Sequence, residues 1–190
     1  MENVAMALDL HRLTVDRYEA MAEAGLLPER GVELFDGLVV EMSAKGARHA
    51  HAAVILNELL VDQRRGRYRV FAEALSLRLG PHDEPDPDFA IVRATGWETA
   101  RRVRVDEVAL IIEIADSSLA FDLGMKREKY AIAGIPEYWV IDAQTNRAHL
   151  FSEPRGGAYD EVRIATADET ISPREYPDVL VPLALLFGRA

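Results

Sequence analysis

One run constrains the fold of this chain more than any other, Val108-Ala109-Leu110-Ile111-Ile112-Glu113-Ile114-Ala115. It is apolar on both alternations, so a strand built from it has no solvent face and other structure must cover both of its sides. The exception inside the run is Glu113. A carboxylate in a buried strand is costly unless it is paired, hydrogen-bonded or bound to a metal, so Glu113 marks a site as well as a strand. A second strand of the same buried type, Phe89-Ala90-Ile91-Val92, carries an acid at its mouth, Asp88. Pro87 has no N–H and forces Asp86 to be extended, which makes the approach to Asp88 stiff.

The remaining elements supply the layers. Thr14 is placed to cap a helix running to about Ala24, ended by Gly25. Val32-Glu33-Leu34-Phe35, Asp36-Gly37 and Leu38-Val39-Val40-Glu41-Met42 spell a hairpin, since Asp-Gly supplies the positive φ angles of a tight primed turn. Glu33 alternates with Val32 and Leu34, and period two alone leaves open whether it faces solvent or the site. A helix is expected from about Ala47 to Arg64, with Ala53, Leu56, Leu59, Leu60 and Gln63 at helical spacing, Ala52 and Ile55 likewise, and His49 and His51 in its first turn. Strands follow at Arg69–Ala72 and Leu75–Leu79. Leu119 to Gly134 reads as mainly helix, with Asp122, Lys126 and either Lys129 or Tyr130 sharing a face. Tyr138–Asp142 is a further strand. Ala148–Ser152 and Tyr159–Ile164 form a hairpin across Gly156-Gly157. Val181–Phe187 is an apolar tail that docks on the core or on a partner subunit. This order gives an α/β fold, a mixed sheet with helices on both sides.

The bulk numbers bound the class. At 190 residues and 49% hydrophobic, the chain suits a single domain, with a core at about 30–142 followed by a C-terminal hairpin and tail over 143–190. With no cysteine it has neither disulfides nor thiolate metal sites. It shows no secretory start and no stretch of membrane-span length, so a cytoplasmic protein without a membrane partner is expected. The net charge of −10 argues against coating nucleic acid by charge, though not against an enzyme with a local cationic patch. Arginines cluster at Arg64-Arg65-Gly66-Arg67 and Arg101-Arg102-Val103-Arg104, which reads either as solvated loop ends or as such a patch. There is no G-x-G-x-x-G or Walker-type loop.

Asp88 and Glu113 on neighbouring strands are the hard oxygen donors that Mg²⁺ takes, and the backbone carbonyl of Ile114 could add a ligand. Lys126 could orient the attacking water or stabilise charge on a phosphorane. Together these are the parts for phosphodiester hydrolysis. The same residues also have a plain structural reading. Asp88 could cap a turn, Glu113 could be the buried partner of Lys126 or of an arginine, and Lys126 and Lys129 could pair with Asp122 and Glu128 on a helix surface.

The chain resembles a large bacterial family of restriction-endonuclease-like proteins, the Uma type, within the PD-(D/E)XK nuclease superfamily. The resemblance rests on Val32-Glu33-Leu34-Phe35-Asp36-Gly37, Arg48-His49-Ala50, Pro87-Asp88-Phe89-Ala90-Ile91-Val92 and Ile111-Ile112-Glu113-Ile114-Ala115-Asp116-Ser117-Ser118. It continues in Asp122, Lys126 and Tyr130, and then in Ala133-Gly134-Ile135-Pro136-Glu137-Tyr138-Trp139-Val140-Ile141-Asp142, the most specific block. It implies a restriction-endonuclease-like core, with a central mixed β-sheet flanked by helices and extra β-hairpins. It also implies a Mg²⁺- or Mn²⁺-dependent endonuclease acting on DNA as a homodimer or higher homo-oligomer. Carried onto this sequence, the catalytic set is Asp88, Glu113, Lys126 and Glu33. The metal ligands are Asp88, Glu113 and the Ile114 carbonyl, and His49, Asp122, Lys129 and Tyr130 are possible accessories. The superfamily lysine stands two residues after the second acid. Here that position is Ala115, so Lys126 on the following helix takes its place, with Lys129 second. The alternatives are an inactive nuclease-like fold kept for oligomerisation or nucleic-acid binding, and a metal-dependent hydrolase of a small phosphate compound. An open groove lined by Arg64, Arg67 or Arg101 would favour DNA, and a narrow closed pocket the small compound.

Overall fold

The computed structural model describes residues 11–28, 31–94 and 102–188. Arg101, one of the arginines that would line an open groove, lies outside them. Helix α1 (Val15–Glu23) is capped by the Thr14 hydroxyl, which accepts from the Arg17 N–H at 3.4 Å, and Gly25 leaves it with φ +69°. Strands β1 (Val32–Phe35) and β2 (Leu38–Glu41) form the expected hairpin, with φ +48° at Asp36 and +70° at Gly37. Gly37 is required twice over, because a Cβ there would also lie 2.6 Å from Arg12 Cβ and 2.7 Å from Leu13 O. Helix α2 (Ala47–Gln63) follows, then β3 (Tyr68–Ala72), β4 (Phe89–Arg93), a 3₁₀ turn at Val105–Glu107 and β5 (Val108–Ala115).

After β5 the chain is helical but not uniform. Helix α3 (Leu119–Phe121) runs into a π-helical turn (Asp122–Lys126) and then helix α4 (Arg127–Ile132). Four residues overshoot one α-helical turn by about 40°. The wider π turn offsets that drift, so Asp122, Lys126 and Tyr130 all point inward, at 2%, 2% and 0% exposure. Beyond lie β6 (Glu137–Asp142), the long hairpin β7 (Arg147–Arg155) and β8 (Ala158–Thr166), β9 (Thr170–Ile171), β10 (Val181–Pro182) and helix α5 (Leu183–Leu186). The apolar tail docks on this chain's own core: Val181, Leu183 and Leu186 are buried in one cluster with Ala52, Leu56 and Leu60 of α2.

The main sheet has six strands in the order β3-β4-β5-β6-β7-β8, and only β5 and β6 run parallel. Every residue of β5 is buried, as its composition requires. Leu110, Ile112 and Ile114 pack on the α2 face, while Ile111 and Ala115 pack on the opposite face with Tyr130 and Ala131 of α4. Alternation therefore turns Glu113 towards the π turn and α4.

The strand expected at Leu75–Leu79 does not form. Leu77 and Leu79 donate backbone hydrogen bonds to Pro85 O and Asp83 O, at 2.9 and 3.0 Å. The segment thus lies against the Pro-rich loop, where Pro85 has no N–H to return and a regular ladder cannot build. Leu77 is nevertheless fully buried, so its apolar alternation serves packing.

Candidate active site

The ends of β4 and β5, the first turn of α2, strand β1 and the π turn converge on one cluster of charge. The Asp88 N–H lies 3.3 Å from Glu113 Oε2. Asp88 Oδ2 accepts the Ile114 N–H at 2.8 Å and lies 3.0 Å from His49 Nε2, and Oδ1 accepts from Lys45 Nζ at 2.8 Å. Lys45 also reaches Glu73 Oε1 at 3.0 Å. On the other side, Glu113 Oε1 accepts from Lys126 Nζ and from the Tyr130 hydroxyl, each at 3.0 Å. Lys126 donates as well to Glu33 Oε1 at 3.1 Å. Asp122 completes the group, held by the Ser118 hydroxyl at 2.5 Å. At the mouth, Arg48 pairs with Asp116 at 2.7 Å, and Asp116 comes so near Gly46 that a Cβ there would lie 2.6 Å from its Oδ2.

Burial and pairing set the charges. Burial works to raise Asp88, but the hydrogen bond and charge of His49 and the charge of Lys45 overcome it and pull the carboxyl down to about 2. Burial pushes Glu33 up to about 7 and Glu113 well above the carboxylate range, with Lys126 opposing both. It raises Asp122 too, again against Lys126. Burial alone would lower Lys126, but Glu113, Glu33 and Asp122 raise it instead, so its ammonium is held charged.

These groups make the fold pH-sensitive. Burial holds Glu33, Glu84 and Glu137 each at about 7, against an ordinary value of 4.5. The folded protein keeps protons there that the unfolded chain releases, so this contribution is full below about pH 4.5 and is lost as pH rises through 7. Asp88 works in the opposite sense: its contribution is present above its ordinary 3.8 and is lost as pH falls towards 2. A thermal scan should therefore find the melting temperature highest near pH 5, with a loss of roughly 5–10 °C by pH 8 and a second loss below about pH 4. A melting temperature that climbs steadily from pH 5 to pH 8 would contradict this electrostatic account.

The donors fit a hard divalent cation. Asp88 and Glu113 offer carboxylate oxygens, and one buried oxygen beside them, Glu33 Oε2, has no hydrogen-bond partner among the described residues. His49, Glu73 and Asp88 present ligand atoms within 4.8 Å of one another. The cavity that Asp88, Glu113, Asp122, Lys126, His49 and Lys45 help to line is only about 50 Å³. That is room for an ion and a little water, not for an organic molecule.

Of the residues singled out in the sequence, the structure gathers Asp88, Glu113, Lys126, Glu33, His49, Asp122 and Tyr130. The alternation left open for Glu33 is settled by its 5% exposure and its contact with Lys126. Ile114 spends its N–H on Asp88, and in an extended strand its carbonyl points to the same edge. Lys129 is not in the cluster. It lies one residue, about 100°, around the helix from Tyr130 and pairs with Asp36 and Asp83. Arg64 and Arg67 are not there either. They follow the far end of α2, about 25 Å of helix away, and Arg67 pairs with Asp178. Two members were missed, Lys45 and Glu73. Glu73 follows directly on Ala72, which pairs with Phe89, so the β3–β4 register sets it opposite Asp88. No local pattern announces that register. For His49 a signal did exist: 49, 52, 56 and 60 make one buried stripe of α2.

The family described as "Uma2: Putative restriction endonuclease" matches residues 15–184 of the chain. Among solved structures, the chain is similar to a putative nuclease belonging to DUF820 from Anabaena variabilis. The TM-score is 0.70 at 16% identity, over 93% of this chain and 98% of that one. What is shared at that identity is the fold. No curated protein matches.

Proposed function

We propose that this chain, which belongs to the Uma2 family of putative restriction endonucleases, is a divalent-metal-dependent endonuclease that hydrolyses phosphodiester bonds in DNA. The observation that carries the reading is the meeting of Asp88, Glu113 and Lys126 within hydrogen-bond reach at the ends of β4 and β5. Lys126 Nζ lies 3.0 Å from Glu113 although the lysine sits on the next helix rather than two residues along the strand, which supports a working site over an inactive scaffold. The small cavity favours a substrate laid across the mouth over a small phosphate compound enclosed in a pocket.

Asp88, Glu113 and the Ile114 carbonyl would hold Mg²⁺ or Mn²⁺. When bound, the cation supplies Lewis-acid polarisation of the phosphodiester and acidification of the attacking water. The chain's own groups do the rest. The Ile114 N–H and His49 fix the Asp88 carboxylate. Tyr130 and Lys126 fix the rotamer of Glu113 through its Oε1 and leave Oε2 turned towards Asp88. Lys126, held charged by its acids, acts as a hydrogen-bond donor to developing negative charge and not as a base. Nucleases of the superfamily this chain resembles that cut both strands commonly act as dimers, and on that likeness the working form is a homodimer or larger assembly. Among the described residues no helix is long and apolar enough to cross a membrane.

The test is cleavage of supercoiled plasmid, single-stranded DNA and an RNA of matched sequence, with Mg²⁺, with Mn²⁺ and with EDTA. DNA strand breaks that require the metal are expected. Cleavage confined to RNA would correct the substrate, and cleavage that survives EDTA would overturn the reading.

A further inference from the structure

The two lysines of the site are not equivalent. Lys126 is 2% exposed and locked between Glu113 and Glu33. Lys45 is 45% exposed, stands in the loop that leads into α2, and reaches Asp88 Oδ1 and Glu73 Oε1 from the solvent side. Its ammonium therefore sits among the ligand atoms that Asp88, Glu73 and His49 present to one another. A divalent cation arriving at Asp88 Oδ1 is repelled by the ammonium that this oxygen already holds at 2.8 Å. Once released, a flexible four-carbon stem at the mouth of the site carries its charge towards solvent, where a substrate phosphate arrives. Arg48 at the same mouth is already paired with Asp116.

We propose that Lys45 is a place-holding cation, displaced from Asp88 and Glu73 by the incoming divalent ion and then turned onto the substrate phosphate. This rests on the nuclease reading above. It makes Lys45 a substrate-binding residue whose two roles have opposite signs: without it the metal binds more tightly and the DNA more weakly.

The experiment is calorimetric titration of the full chain with Mn²⁺ alone, followed by the KM for plasmid cleavage. The variants are Lys45→Met, Lys45→Arg and, as a charge control, Arg155→Met. Arg155 is 83% exposed and ends β7 at the far end of the sheet from the site. Lys45→Met should bind Mn²⁺ about three- to ten-fold more tightly and raise KM about five-fold or more. Lys45→Arg and Arg155→Met should stay within about two-fold of wild type in metal affinity. Unchanged or weaker Mn²⁺ binding by Lys45→Met, or an unchanged KM, would overturn the proposal while leaving the nuclease reading in place. Equal tightening by Arg155→Met would overturn it too, by reducing the effect to net charge. A wild-type chain that binds no Mn²⁺ would remove the nuclease reading, and this inference with it.

Discussion

Replacing Asp88 by asparagine is expected to abolish divalent-metal binding and to lower DNA cleavage by on the order of 10³-fold, with the fold intact. The asparagine oxygen can still accept the Ile114 N–H that Asp88 Oδ2 accepts at 2.8 Å. What is lost is the negative charge that Lys45 and His49 share and that a cation would use. Lys45 is half-exposed, so it rehydrates when its partner is neutralised, and little folding energy depends on the pair. Circular dichroism should therefore resemble wild type and the thermal midpoint should fall only by the contribution that Asp88 loses in acid, while a Mn²⁺ titration shows no binding. Retained metal affinity in a folded Asp88→Asn protein would remove Asp88 from the site.

Lys126→Met is expected to have the largest effect on stability, a loss of about 3–5 kcal/mol at pH 8. Methionine fills a similar volume but leaves Glu33, Glu113 and Asp122 without the cation that each of them faces. Their carboxyls, already raised by burial, then rise further. Acid folded-state groups with raised pKa values regain stability as pH falls, so the loss should shrink to about 1–2 kcal/mol at pH 5.5. Urea denaturation at the two pH values measures both numbers. An equal loss at each pH would mean that Lys126 is held for its packing and not for its charge.

Much of this site could be read before its geometry was known, because its acids break local rules. Glu113 interrupts a run that is otherwise apolar on both faces, and Asp88 follows a proline into another such run. A residue that is expensive where it stands is visible in one dimension. The Asp36-Gly37 turn was visible for a similar reason, since few dipeptides accept two positive φ angles. What stayed hidden is what depends on register between distant segments. Glu73 and Lys45 are ordinary surface-type residues until the pairing of β3 with β4 and the approach of the 43–46 loop bring them to Asp88. Glu33 could not be assigned a face, because alternation gives two faces without naming the inner one. Helical spacing puts Asp122, Lys126 and either Lys129 or Tyr130 on one face without choosing between the last two, and the π turn that aligns Tyr130 with the others has no sequence signature. Leu75–Leu79 alternates like a strand and packs like one, yet its neighbour is a proline loop that cannot return a ladder.

The most direct test of the central claim is DNA cleavage by wild type and Glu113→Ala side by side, with Mg²⁺ or Mn²⁺ and with EDTA. The account predicts strand breaks by the wild type only when metal is present, and none by a folded Glu113→Ala protein. Equal cleavage by both proteins, or cleavage that ignores EDTA, would contradict it and return Glu113 to the role of a buried partner for Lys126.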